Sequence, residues 1–102
     1  MLAIAVTNRG GPGGLLASTT TGIVSDEVWR CSDTEQTGWY LEDFDDSSWD
    51  LAYVVGLHGY EPWGWIDGID SSAKWIWDAG YAPDHSTTYC RRRMCGLMTG
   101  WI

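Results

Sequence analysis

Apolar and β-branched residues occur in short runs along the chain, and turns rich in glycine separate these runs. Runs of this length are typical of strands, whereas an amphipathic helix needs a longer periodic stretch. The pattern predicts strands at residues 2–6, 15–20, 28–32, 51–55, 74–77 and 87–94. Since no stretch makes a convincing helix, we expect an all-β fold, an antiparallel β-sandwich.

The alternation of residue types also assigns faces to two of these strands. Side chains two residues apart lie on the same face of a strand. Trp29 and Cys31 therefore share one face, which we assign to the core. In the last strand, if Cys90 faces inward, Thr88 and Arg92 do so too. Their neighbours at 89, 91 and 93 then face outward.

Tryptophan is far more frequent than in ordinary proteins, with eight among 102 residues. Large rings dominate the energetics of cores and interfaces. Two stretches, residues 38–49 and 73–77, carry half of these tryptophans. We interpret both stretches as structural anchors, and we expect any function to reside in the loops that they hold.

The charge balance argues against several partners. The chain has six Lys and Arg residues and fourteen Asp and Glu residues, which gives a formal net charge of −8. Such a surface repels phosphate backbones, so we do not expect nucleic-acid binding. The arginine run at 91–93 is too short to reverse this, and we interpret it as a solvated strand edge. No run approaches the roughly 20 apolar residues of a transmembrane helix, so we expect no membrane insertion.

The acidic run at residues 42–48 has two interpretations. Asp and Ser side chains cap turns by bonding nearby backbone N–H groups, so we favour a turn flanked by buried Phe44 and Trp49. Calcium binding is the functional alternative, although the spacing does not match an EF-hand loop. None of the cysteines forms a CxxC pair, which argues against zinc. We therefore assign no cofactor and no metal ligand.

Catalytic motifs are also missing from the sequence. There is no nucleophile elbow and no pairing of cysteine with histidine in a suitable context. We therefore predict a protein that is not an enzyme.

Several motifs, taken in order, resemble the galactose-binding-like jelly-roll domain. They lie at residues 13–17, 24–31, 44–49, 62–64, 73–77 and 88–91. Such domains occur in extracellular lectin-like proteins and as accessory modules of glycoside hydrolases. The resemblance implies one domain over residues 1–94 and leaves a tail, 95–102, unexplained. Domains of this type usually carry further strands before the one that matches 2–6. We therefore expect a fragment of a longer protein, or a neighbouring chain that completes the sheet edge.

The resemblance also bears on the three cysteines, because the family has cysteines at places comparable to Cys31 and Cys90. Both residues lie on predicted strands at positions that can face the core. We predict a disulfide between them, which implies an oxidising compartment, extracellular or at the cell surface. Cys95 is then left over, and it can cross-link to another chain.

The loop at residues 57–65 is the predicted ligand site. Sugar recognition needs flat aromatic surface and polar groups on a loop, and His58, Tyr60, Trp63 and Trp65 supply both. We therefore predict a non-catalytic carbohydrate-binding or adhesion module. The alternative for the two tryptophans is that they cap the end of the sandwich, and for His58 that it bonds the loop.

A second hypothesis makes the chain a structural subunit or module of an extracellular assembly or filament. It would contact neighbouring chains through its sheet edge and its apolar tail, which ends in Trp101 and Ile102. Exposed aromatic surface marks protein interfaces as readily as ligand sites.

Overall fold

The computed structural model describes residues 1–81 and 86–93. The described residues contain no helix, so the all-β class is confirmed. No segment of this part of the chain forms a helix long and apolar enough to cross a membrane. The strands are β1 (Leu2–Thr7), β2 (Arg30–Ser32), β3 (Asp50–Leu51), β4 (Tyr53–Leu57), β5 (Lys74–Trp77) and β6 (Thr87–Arg92).

The strands form two antiparallel sheets. One sheet has the order β1-β6-β2-β3, and the other pairs β4 with β5. β6 pairs with β1 along its whole length and with β2 on its other side. The arginine run therefore begins on a central strand, and its interpretation as a sheet edge is wrong.

The predicted strand at residues 51–55 is divided between the two sheets. Its first part belongs to β3, which pairs with β2, and the rest forms β4, which pairs with β5. Buried Ala52 lies at the division, and its N–H donates to the carbonyl of Trp29 at 2.8 Å. The chain thus passes from one sheet to the other at Ala52, as strands do at the corners of packed sheets.

The prediction of a regular strand at residues 15–20 is wrong. Only isolated bridges form there, from Leu15 to Ile76 and from Ser18 to Val24. The side chain of buried Ser25 makes bonds here that backbone groups make in a regular strand pair. Its hydroxyl accepts the N–H of Ala17 and donates to a carbonyl of β5. Side-chain bonds of this kind compete with regular strand pairing.

The core takes side chains from both sheets. Its buried members are Leu15, Trp29, Cys31, Ala52, Ile76 and Cys90. The predicted inward faces of β2 and β6 are therefore confirmed for their core residues. β5 is covered on both faces, since three consecutive residues, 75–77, are buried.

A disulfide joins Cys31 to Cys90, as predicted. The two cysteines are directly opposite each other on the neighbouring strands β2 and β6. The bond therefore links the two inner strands of the larger sheet, and both its ends are buried.

Arg91 corrects the expectation of a solvated arginine run, since it is only 1% exposed. Its guanidinium donates to the carbonyls of Trp39 at 2.9 Å and Leu41 at 2.7 Å, and it pairs with the carboxylate of Asp46. Its Cζ also lies 5.2 Å from the ring centroid of Phe44. The alternation assigned its face correctly, but the segment 39–46 covers that face.

The acidic run forms a turn, as favoured from the sequence. Asp45 Oδ1 accepts the N–H of Ser47 at 3.0 Å, and hydrogen bonds from the side chain and then the backbone of Ser47 lower the pKa of Asp45. Trp49 is buried, stacks on Trp39, and Phe44 is half-buried against it. The segment is therefore held both by packing of its aromatic rings and by Arg91.

Candidate functional site

A pocket of about 390 Å³ opens beside β4, and we call it the aromatic pocket. Clefts of this size are typical of small-ligand sites. Its walls are formed by Pro12, Tyr53, Val55, Tyr60, Glu61, Pro62, Trp63 and Tyr81.

Strand β4 supplies one wall of the aromatic pocket. Tyr53 and Val55 both line the pocket, and the pairing of β4 with β5 shifts register between Val54 and Gly56, as at a β-bulge. The Tyr53 ring is exposed and lies 5.2 Å, centroid to centroid, from the ring of Tyr81. Tyr81 has a positive φ of 36° and donates its hydroxyl to the carbonyl of Gly13 at 3.3 Å. The loop after β5 therefore returns to meet β4.

Tyr60 forms another part of the wall, and its ring can lie there because Gly56 on β4 has no side chain. A Cβ built on Gly56 would come within 2.4 Å of the Tyr60 ring, so only glycine allows the ring to lie this close to β4. The Tyr60 carbonyl accepts the N–H groups of Trp63 and Gly64 at 3.1 and 3.0 Å. This turn holds the half-exposed Tyr60 ring beside that of Trp63.

Trp63 is held from behind by the core. Its ring stacks on buried Trp75 with centroids 4.3 Å apart. A Cβ on Gly14 would approach both rings, at 2.9 Å from Trp75 and 3.0 Å from Trp63. Gly14 thus leaves room for the stack, and the stack fixes the position of Trp63 in the pocket wall.

The phenol groups of the pocket lie close enough to influence one another. Burial raises the pKa of Tyr81, and the nearby Tyr53 and Tyr60 raise it further. Glu61 is the one charged residue among the lining residues. The pocket therefore offers ring faces, neutral hydroxyl groups and a single carboxylate.

The structure separates His58 and Trp65 from the other two predicted ligand residues. His58 is buried; its Nδ1 donates to the carbonyl of Asp70 and its Nε2 accepts the N–H of Ile66, both at 3.0 Å. This side chain bonds the loop from within, in line with the alternative considered for it. Trp65 packs its ring 4.7 Å from that of His58 and is 68% exposed, outside the aromatic pocket.

No protein-family model, curated protein sequence or solved structure matches this chain. The resemblance to galactose-binding-like domains therefore stays a prediction. So do the roles of Cys95 and of the tail, which lie outside the described residues.

Two of the aromatic residues that line the pocket, Tyr53 and Tyr81, are absent from the predicted ligand set. The signal for Tyr53 was present, because the alternation within residues 51–55 places it on one face with Val55. Tyr81 carried no such signal, since it reaches the pocket through a loop. Within residues 1–81 and 86–93, no group of three or more His, Cys, Asp or Glu side chains is placed to hold a metal ion.

Proposed function

We propose that the chain is a non-catalytic carbohydrate-binding or adhesion module and that the aromatic pocket is its sugar site. The observation that carries the proposal is the convergence of three tyrosines and Trp63 around one open pocket. Sugar rings present apolar C–H faces that pack on aromatic rings, while their hydroxyl groups bond to phenols and carboxylates.

The charge of the pocket favours neutral sugars. Glu61 accepts hydrogen bonds from sugar hydroxyl groups, and no lysine or arginine lines the pocket. An acidic sugar would meet a like charge without a compensating cation. We therefore propose a neutral glycan as the ligand.

The fold and the disulfide support the same proposal. Two antiparallel sheets with a shared core are compatible with a galactose-binding-like jelly-roll sandwich. Disulfides persist in oxidising compartments, so we place the protein outside the cell or at its surface.

A screen of neutral glycans followed by calorimetric titration tests the sugar site. We expect Tyr53→Ala and Tyr60→Ala each to weaken binding about tenfold, a loss of about 1.4 kcal/mol, because each removes a ring from the pocket wall. Tyr40→Ala is the matched control, since Tyr40 is 59% exposed and lies outside the pocket. Equal binding by all three variants would contradict the assignment, and so would a screen without a neutral ligand.

The edge strand β1 favours a second candidate function, an assembly module. β1 carries no charged residue in a chain of net charge −8, and among the described residues only β6 pairs with it. An apolar groove of about 360 Å³, lined in part by Ile4 and Val6, opens beside it. Sheet edges without charged residues or proline tend to pair with other strands. We propose that the β1 strand of a second copy pairs with this edge.

Sedimentation equilibrium tests this second candidate. We expect a dimer that Ala5→Lys weakens at least tenfold, because antiparallel pairing of two β1 strands would bring the two lysines close together. Ala5 is exposed, so the monomer should keep its fold. Ala5→Ser, which adds no charge, is the control. A wild-type chain that stays monomeric at high concentration would refute the assembly function and leave the sugar site untouched.

A further inference from the structure

A second cleft shares no lining residue with the aromatic pocket, and we call it the acidic cleft. It measures about 150 Å³ and lies where β2, β3 and the loop after β5 meet. Asp50, at the start of β3, is directly opposite Cys31 in the sheet. The polar side chains that line the cleft are Ser32, Asp33, Ser48, Asp50 and Asp78.

Asp78 is the decisive residue of the acidic cleft. It follows β5 directly and is only 4% exposed. Its Oδ1 accepts the N–H of Gly80 at 2.9 Å, but its buried Oδ2 has no hydrogen-bond partner among the described residues. A buried carboxylate oxygen without a partner is costly, so the position is poor for stability alone.

The other carboxylates of the cleft are not neutralised either. In the described ranges, no ion pair involves Asp33, Asp50 or Asp78. The nearby cation Arg30 donates to the carbonyl of Trp49 at 2.7 Å and does not line the cleft. Three carboxylates and two serines therefore line a cleft whose lining contains no lysine or arginine.

We propose that the acidic cleft binds the cationic end of an arginine or lysine side chain from a partner polypeptide. No three His, Cys, Asp or Glu side chains of the described residues are placed together to hold a metal ion, whereas a side-chain cation carries several N–H donors that reach separate oxygens. The net charge of −8 would also steer a basic partner toward this surface. This site is independent of the sugar site. The protein would therefore bind a polypeptide at the acidic cleft in addition to a glycan at the aromatic pocket.

Titration of the whole chain with single capped amino acids, followed by NMR, tests the proposal. The probes are N-acetyl-arginine methylamide and N-acetyl-lysine methylamide, with the neutral citrulline derivative as the isosteric control. We expect saturable shifts of the Gly80 amide and the Trp49 indole with at least one cation, weakened by salt and absent with citrulline. No saturable shift with either cation, or equal shifts with citrulline, would overturn the proposal.

Asp78→Asn separates a binding role from a structural one. The amide keeps an oxygen for the N–H of Gly80 but removes the unpartnered charge. We expect at least tenfold weaker binding of the cationic probe together with a higher melting temperature, since sites built for ligands often reduce stability. Asp67→Asn, at an exposed position outside the cleft, should change neither. An Asp78→Asn variant that binds like wild type would refute the site.

The double variant Asp33→Asn/Asp50→Asn gives a test that does not depend on a buried substitution. Both side chains are exposed, so the fold should be retained. We expect binding of the cationic probe to fall at least fivefold, and unchanged binding would count against the cleft. A loss of cation binding in either variant should leave glycan binding unaltered, which distinguishes this site from the aromatic pocket.

Discussion

Replacing Arg91 with alanine should lower the free energy of unfolding by about 3 to 5 kcal/mol, measured by urea denaturation. The substitution removes a fully buried cation that satisfies three backbone carbonyls of the segment 39–46 and the carboxylate of Asp46. The side chain of Asp46 is itself largely buried, and it would keep only the longer contact, 3.7 Å, with the exposed side chain of Arg93. Stranding one member of a buried ion pair costs more than the pair contributes.

Arg91→Lys and Arg9→Ala complete this experiment. Lysine keeps the charge but cannot donate in several directions from a planar group, so we expect it to restore less than half of the loss. Arg9 is exposed in a loop, and its removal should change the free energy of unfolding by less than about 0.5 kcal/mol. A similarly small loss for Arg91→Ala would show that the segment 39–46 holds its position without the guanidinium.

The sequence could predict which face Arg91 occupies but not that this face is covered. Alternation places it opposite to Cys90, and in the structure its guanidinium bonds to the segment 39–46 while Cys90 lies in the core. Its burial depends on a segment about 50 residues earlier in the chain, folded over the sheet. Opposite charge could have suggested an ion pair between the acidic run and the arginine run. The alternation of residue types, however, does not show which charged residues form ion pairs.

Local sequence patterns were sufficient to predict where a strand lies and which of its faces is buried. They placed β1, β5 and β6 and the burial of Trp29. They did not reveal that residues 51–55 change sheet at Ala52, because a run of alternating residues looks the same when its pairing partner changes.

The aromatic pocket shows the same division. Tyr60 and Trp63 were predicted from one loop, but the pocket also needs Tyr53 from β4 and Tyr81 from the loop after β5. Those contacts depend on the return of the chain beside β4. His58 was predicted for its chemistry, and its two nitrogens instead bond backbone groups of its own loop.

Replacing Cys31 and Cys90 together with alanine should lower the free energy of unfolding by about 4 kcal/mol. The two cysteines are 59 residues apart, so their bond removes much of the freedom of the unfolded chain. The expected fall in melting temperature is about 15 to 30 °C for a domain of this size. Scanning calorimetry of the oxidised chain and the double variant measures it, both in a Cys95→Ser background that prevents disulfide exchange.

A reducing agent supplies the control for this experiment, because it should lower the melting temperature of the oxidised chain and leave the double variant unchanged. The bond joins β6 to β2, and the chain between its ends includes β3, β4 and β5. The loss should therefore affect both sheets in a single transition. If the oxidised chain and the double variant melted at the same temperature, the packing of Trp29 and its neighbours would maintain the core without the cross-link. The inference of an oxidising compartment would then lose its main support, because a bond that adds no stability gives no reason to retain the pair.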